Sequence, residues 1–170
     1  MLITIVGKRG KGKTTLAKSL MAAPQAPFSL KQTNFDQIYI LDFLGEYYSL
    51  KKAGVFISRE NLYFFCKTVW DNSTPKKHTL VVFDEIDLYG KDNPFISFLY
   101  RFGRHKNIDA IAVARRFYDL PVIVRALTDK FFLFQITEER DLNYLRRSVS
   151  EDMVLRIFNL KNYQYIIISL

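Results

Sequence analysis

Gly7-Lys8-Arg9-Gly10-Lys11-Gly12-Lys13-Thr14 fits the pattern G-x-x-x-x-G-K-S/T at every fixed position. The pattern implies a specific chemistry. Backbone N–H groups of a glycine-rich loop wrap a polyphosphate, the lysine reaches the β- and γ-phosphates, and the next hydroxyl coordinates Mg²⁺. Residues 7–14 together with Thr15 are therefore the expected nucleotide-binding segment, with Lys13 on the reacting phosphate and Thr14 on the metal. The flanks agree. Met1-Leu2-Ile3-Thr4-Ile5-Val6 is a short apolar run that suits a buried strand, and Thr15 to Met21 suits a helix whose N-terminus faces the anion. A basic glycine-rich turn would need neither flank.

A second apolar run, Thr79-Leu80-Val81-Val82-Phe83, ends in Asp84-Glu85. An aspartate at the C-terminal end of such a strand holds the Mg²⁺ shell of an ATPase. The adjoining glutamate orients the attacking water and accepts its proton. With the phosphate loop, Asp84 and Glu85 point to hydrolysis of ATP rather than mere binding. Asp87, close by, is equally well explained as a cap.

Composition narrows the class. The chain has 170 residues, 49% apolar and 15% aromatic, which suits one well-packed domain over 1–170 and argues against disorder. No apolar run approaches the length of a membrane span, and the loop begins too early for an apolar targeting segment to precede it. A lone cysteine, Cys66, fits a reducing cytosol and a small buried residue, and His78 and His105 lack the partners of a zinc site. The net charge of +8 suggests a polyanionic partner, although Lys8, Arg9 and Lys11 lie inside the loop and serve the nucleotide equally well.

Strands and helices alternate along the chain. Strands are expected at 2–6, 37–41, 55–58, 79–83, 108–114, 130–136 and 163–168. Helices are expected at 15–21, 59–70, 94–102, 121–128, 138–147 and 151–158, with Leu62, Phe65, Cys66 and Val69 on one side of the second. A Pro-containing connection occupies 24–27, and Asp71 to Pro75 reads as a loop. This alternation argues for an α/β fold with a mostly parallel sheet.

Ile38 to Leu41 leads into Asp42-Phe43-Leu44-Gly45-Glu46-Tyr47. An apolar strand ending in Asp-x-x-Gly-Glu-Tyr, between the two ATPase motifs, resembles the second-strand motif of the HerA–FtsK superfamily of DNA-pumping ATPases. Small size points to the viral genome-packaging branch. The resemblance covers about residues 1–136. It implies a three-layer RecA-like (ASCE) P-loop NTPase fold, with the sensor strand between the loop strand and the Asp-Glu strand.

It also implies that a basic helix end carrying an arginine finger leads into the sensor strand. Arg101 and Arg104 are the finger candidates here, and a basic helix C-terminus stabilised by the helix dipole is the plainer reading of both. The sensor strand usually ends in a glutamine followed by Arg-Pro, whereas this chain has Arg115 at the glutamine position and Phe117 where proline is common. Arg115 either faces the γ-phosphate, or pairs with acids or DNA together with Arg116.

The resemblance further implies a Mg²⁺-dependent ATPase that moves double-stranded DNA without sequence preference. It would work as a homo-oligomeric ring, hexameric by analogy, beside viral capsid or membrane-vertex proteins, in the host cytoplasm or virion. Lys76-Lys77-His78 and Tyr89-Gly90-Lys91 are loop candidates for the DNA contact. Two rivals share the phosphate loop. One is a small nucleoside or nucleotide kinase with Arg140, Arg146 and Arg147 as its lid. The other is a phage morphogenesis ATPase resembling zonula occludens toxin.

Overall fold

The computed structural model describes residues 1–22, 35–50 and 54–169. Its strands are β1 (Leu2–Val6), β2 (Gln37–Leu41), β3 (Val55–Ser58), β4 (Thr79–Phe83), β5 (Ile108–Ala114), β6 (Lys130–Leu133) and β7 (Ile166–Ile168). Its helices are α1 (Lys13–Ala22), α2 (Leu62–Asn72), α3 (Pro94–Phe102), α4 (Val122–Leu127), α5 (Glu139–Leu145) and α6 (Glu151–Phe158). The strands form one sheet in the order β3-β2-β4-β5-β1-β6-β7. All neighbouring strands run parallel except β7, which is antiparallel to β6. β5 sits between β1 and β4, where the superfamily resemblance puts the sensor strand.

Each central strand is covered on both faces, so β2 and β4 are buried at every position and read as unbroken apolar runs. Alternate residues serve opposite layers. Tyr39, Leu41, Val81 and Phe83 join a core with α2, α3, α4, α5 and α6, whereas Ile38, Ile40, Leu80 and Val82 meet Ala17, Leu20 and Met21 of α1. The result is the three-layer arrangement expected.

Boundaries move where a cap or a hydrogen bond decides them. α2 starts at Leu62 rather than at 59 because the Asn61 side chain accepts the Phe64 N–H at 3.1 Å, and it runs to Asn72 before Ser73 ends it. β6 ends at Leu133, not 136, because its register against β1 stops at the Val6–Leu133 pair and the chain then turns with the phosphate loop. β7 is confined to Ile166–Ile168 because Tyr163 is left-handed, at φ 64°, which breaks the expected strand from 163. The connection at 24–27 lies outside the described residues. Among the described residues no helix is long and apolar enough to cross a membrane. Because β1, β2, β4 and β5 are parallel, the segments after all four emerge at one edge of the sheet, where ligands of open α/β sheets bind.

Candidate active site

The phosphate loop is anchored at both sides. Gly7 N–H donates to Ala114 O at 3.3 Å and Lys8 N–H to Gln135 O at 3.2 Å. Any side chain at Gly7 would put its Cβ 2.5 Å from Phe134 Cβ, so the loop can leave β1 here only as glycine. α1 begins at Lys13, and its first N–H groups face the cleft, the standard site for an anion. Lys13 Nζ donates to Lys8 O at 3.0 Å and so lies across the loop it closes. Burial lowers the Lys13 pKa, and the carboxylates of Asp87 and Asp84 partly oppose that effect.

Opposite the lysine stand the ends of β2 and β4. Asp42 is fully buried. Its Oδ1 accepts the N–H groups of Gly45 at 2.8 Å and Glu46 at 3.1 Å, and its Oδ2 accepts that of Tyr47 at 3.0 Å. The Asp-x-x-Gly-Glu-Tyr stretch is thus a turn wound around one carboxylate, and it delivers Glu46 to the site. The Thr14 hydroxyl donates to Glu46 Oε2. Asp84, only 3% exposed, has its pKa pushed up to about 7, first by burial and then by the charges of Glu46, Glu85 and Asp42.

Glu85 holds a left-handed conformation, φ 52° and ψ 47°, uncommon for a residue with a side chain. The bend turns β4 into a 3₁₀ turn at Ile86–Tyr89 and splits the acidic pair. The Glu85 Oε1 accepts both Nε (2.8 Å) and Nη2 of Arg115. Asp87 Oδ2 accepts the Arg115 backbone N–H at 3.1 Å and so fixes the end of β5.

One cleft is lined by Arg9, Gly10, Gly12, Lys13, Thr14, Thr15, Glu46, Asp84, Glu85 and Arg115. Of the loop residues, Gly7 is spent on the packing with Phe134, Lys8 offers its carbonyl to Lys13, and Lys11 Nζ turns away to Asn162 Oδ1 at 2.5 Å. Arg115 reaches the cleft, but its guanidinium rests on Glu85, the acid-pairing alternative of its two readings. Arg101 and Arg104 line a different cleft with Met1, Leu2 and Asp129, at the edge where β1 starts. Neither lines the cleft of its own chain.

Three further expectations change. The His78 ring bonds Asp109 at 3.0 Å and the His78 backbone N–H donates to Asp36 Oδ2 at 2.7 Å, so the residue ties strand ends together instead of standing in an exposed loop. Lys91 lies over the Tyr118 ring, 3.4 Å from its centroid. The arginines of a kinase lid are committed elsewhere: Arg146 pairs with Glu139 and Glu151, Arg140 covers the other cation site on Tyr118, and none of Arg140, Arg146 and Arg147 lines the cleft.

The sequence assigns no role to Glu46 or Tyr163, and both line the cleft. Glu46 stood in the quoted second-strand motif, which was its available signal. Tyr163 had none, because only the tertiary fold brings it to the loop.

The donor set fits Mg²⁺. Five carboxylates, Asp42, Glu46, Asp84, Glu85 and Asp87, cluster near two cations, Lys13 and Arg115, and burial with the neighbouring acids raises the Asp84 pKa. Among the described residues no three His, Cys, Asp or Glu side chains form a metal cage. Mg²⁺ at nucleotide sites takes one or two protein ligands and completes its shell with substrate phosphates and water. Thr14 and Asp84 are the ligands it would use.

No protein-family model matches the chain. The genome-packaging NTPase B204 from Sulfolobus turreted icosahedral virus 2, solved in complex with AMPPCP, superposes with a TM-score of 0.79 over 99% of this chain and 91% of that one, at 22% identity. The chain therefore has the P-loop NTPase fold. The P-loop NTPase fold is also shared, more distantly, with the N-terminal domain of zonular occludens toxin from Neisseria meningitidis, at a TM-score of 0.53 and 17% identity over 77% of this chain and 74% of that one. In sequence, the variola virus DNA packaging protein OPG160 is 33% identical over 98 residues, 57% of this chain. The matched stretch spans about a third, 36%, of that relative.

Proposed function

We propose that this chain is a Mg²⁺-dependent ATPase whose turnover drives double-stranded DNA during viral genome packaging. The observation that carries the reading is the convergence of Lys13 and Thr14 with Asp84 and Glu85 in one cleft at the C-terminal edge of a parallel sheet. The likeness to B204 and to OPG160, both described as packaging proteins, supports the same direction.

The chain's own residues perform separable tasks. The loop N–H groups and Lys13 bind the β- and γ-phosphates, for which Lys13 exchanges its bond to Lys8 O for phosphate oxygen. Bound Mg²⁺, on Thr14 and Asp84, would neutralise phosphate charge and orient the γ-phosphate. Glu46 accepts the Thr14 hydroxyl proton in a hydrogen bond, which would leave the hydroxyl oxygen free to serve the metal. Glu85 orients water and accepts its proton, which requires an oxygen not occupied by Arg115. Arg115 stabilises charge on the γ-phosphate once it leaves Glu85.

Arg101 and Arg104 lie away from their own cleft, so a finger role for either requires a neighbouring subunit in a head-to-tail ring. A hexamer contacting DNA phosphates, beside capsid or membrane-vertex proteins in the host cytoplasm or virion, completes the proposal. Phosphate release from ATP, measured with and without double-stranded DNA and alongside oligomer mass, tests it. We expect DNA-stimulated release that falls with salt, and loss of turnover with retained ATP binding in Glu85→Gln. Phosphate transfer to a nucleoside without DNA stimulation would replace this reading with the kinase. DNA-independent turnover by a monomer would replace it with a non-motor assembly ATPase.

A further inference from the structure

The turn between α6 and β7 places one side chain where the function above does not yet use it. Tyr163 is 69% exposed, more than any other large apolar or aromatic side chain among the described residues. It holds φ 64°, a left-handed conformation that a bulky residue adopts only when its surroundings enforce it. The enforcement is visible. Tyr163 N–H donates to Lys11 O at 3.2 Å, and its neighbour Asn162 accepts Lys11 Nζ at 2.5 Å. Within the turn, Gln164 N–H donates to Lys161 O at 3.2 Å, and the Gln164 side chain accepts Lys161 N–H at 3.0 Å. Two residues further on, Tyr165 packs against Phe132 and Phe134, with centroids 5.5 and 5.4 Å away, and anchors the turn in the core.

The Tyr163 ring lies directly on the phosphate loop. A Cβ on Gly12 would stand 2.7 Å from Tyr163 Cδ1. The ring forms part of the wall of the phosphate cleft and also of a neighbouring cleft lined by Arg156, Asn159, Leu160, Gln164 and Tyr165. Unlike Tyr165, it pairs with no other ring among the described residues. A flat apolar surface is therefore held rigidly at the boundary between the phosphate cleft and a second cleft.

We propose that Tyr163 is the stacking platform for the base of the nucleoside triphosphate. The inference rests on the nucleotide reading of the cleft and adds where the base goes: out of the phosphate cleft, across the Tyr163 face, toward the cleft of Asn159 and Gln164. Stacking follows π-surface rather than hydrogen-bond pattern, so purines gain over pyrimidines while adenine and guanine differ little.

The test compares ATP with inorganic tripolyphosphate, which carries the phosphates and no base, on the full chain with Mg²⁺. In Tyr163→Gly we expect ATP affinity to fall about tenfold or more, with tripolyphosphate affinity unchanged within about twofold. Tyr163→Phe retains wild-type ATP affinity, and the wild-type preference for ATP and GTP over CTP and UTP collapses in Tyr163→Gly. The glycine suits the left-handed φ, so its ligand-free melting temperature is not lowered, which separates loss of the platform from loss of the fold. Equal weakening of ATP and tripolyphosphate, or no weakening of ATP, overturns the inference and leaves the phosphate site standing. Wild-type protein that binds neither ligand overturns the nucleotide reading itself.

Discussion

Asp84→Asn should stabilise the ligand-free protein while abolishing its turnover. The carboxylate is 3% exposed and stands near Glu46, Glu85 and Asp42, and its pKa is pushed from 3.8 to about 7. A rise of that size corresponds to about 4 kcal/mol for keeping the group ionised at pH 8, at about 1.36 kcal/mol per tenfold change in proton affinity. Relaxation of the neighbouring acids reduces the gain expected from an uncharged isostere to about 2–4 kcal/mol. For 170 residues this is roughly 6–11 °C in melting temperature.

The sign fixes the pH window. Between pH 4 and 7 the folded chain holds a proton on Asp84 that the unfolded chain has released, so this group's contribution to stability falls as pH rises and is level above about 7. Thermal and urea unfolding without nucleotide or Mg²⁺ should show wild type and Asp84→Asn nearly equal near pH 4 and furthest apart at pH 8. Mg²⁺ with a non-hydrolysable ATP analogue should raise wild type more than the variant. A variant less stable than wild type at pH 8, or a gap that does not change with pH, would refute the charge-cluster account of the site.

Three other perturbations probe separate parts of the design. Asp42→Ala leaves the N–H groups of Gly45, Glu46 and Tyr47 without their buried acceptor, so urea unfolding should report a loss of about 3 kcal/mol or more, with Asp42→Asn recovering part. Gly7→Ala drives a methyl to 2.5 Å from Phe134 Cβ and against its backbone, so a loss of about 1–3 kcal/mol and weakened ATP binding are expected by calorimetry. Arg115→Ala should lower single-turnover hydrolysis by roughly 10²–10³ with ATP affinity changed only a few-fold, as for removal of one preorganised donor to developing charge. A faster variant would instead make Arg115 purely a restraint on Glu85.

The sequence by itself determined the sheet and the two halves of the site. Unbroken apolar runs such as Thr79–Phe83 can be satisfied only between two covered faces, and the loop at Gly7–Thr14 and the pair Asp84-Glu85 are defined by neighbours along the chain. The boundaries that moved, at Asn61 and Tyr163, were set by a cap and by a left-handed turn, local events that periodicity does not encode. What only the tertiary structure decided is how distant charges and rings meet. Asp42 is a buried pivot that delivers Glu46 to Thr14. Arg115 lands on Glu85 because β5 lies beside β4. Arg101 and Arg104 sit at the opposite edge because α3 runs back down the sheet. Tyr163 reaches the phosphate loop because a turn near the end of the chain is bonded to Lys11. Spacing along a chain fixes which groups share an element. Which groups share a cleft depends on strand order and on buried hydrogen bonds, and those form only when the whole sheet closes.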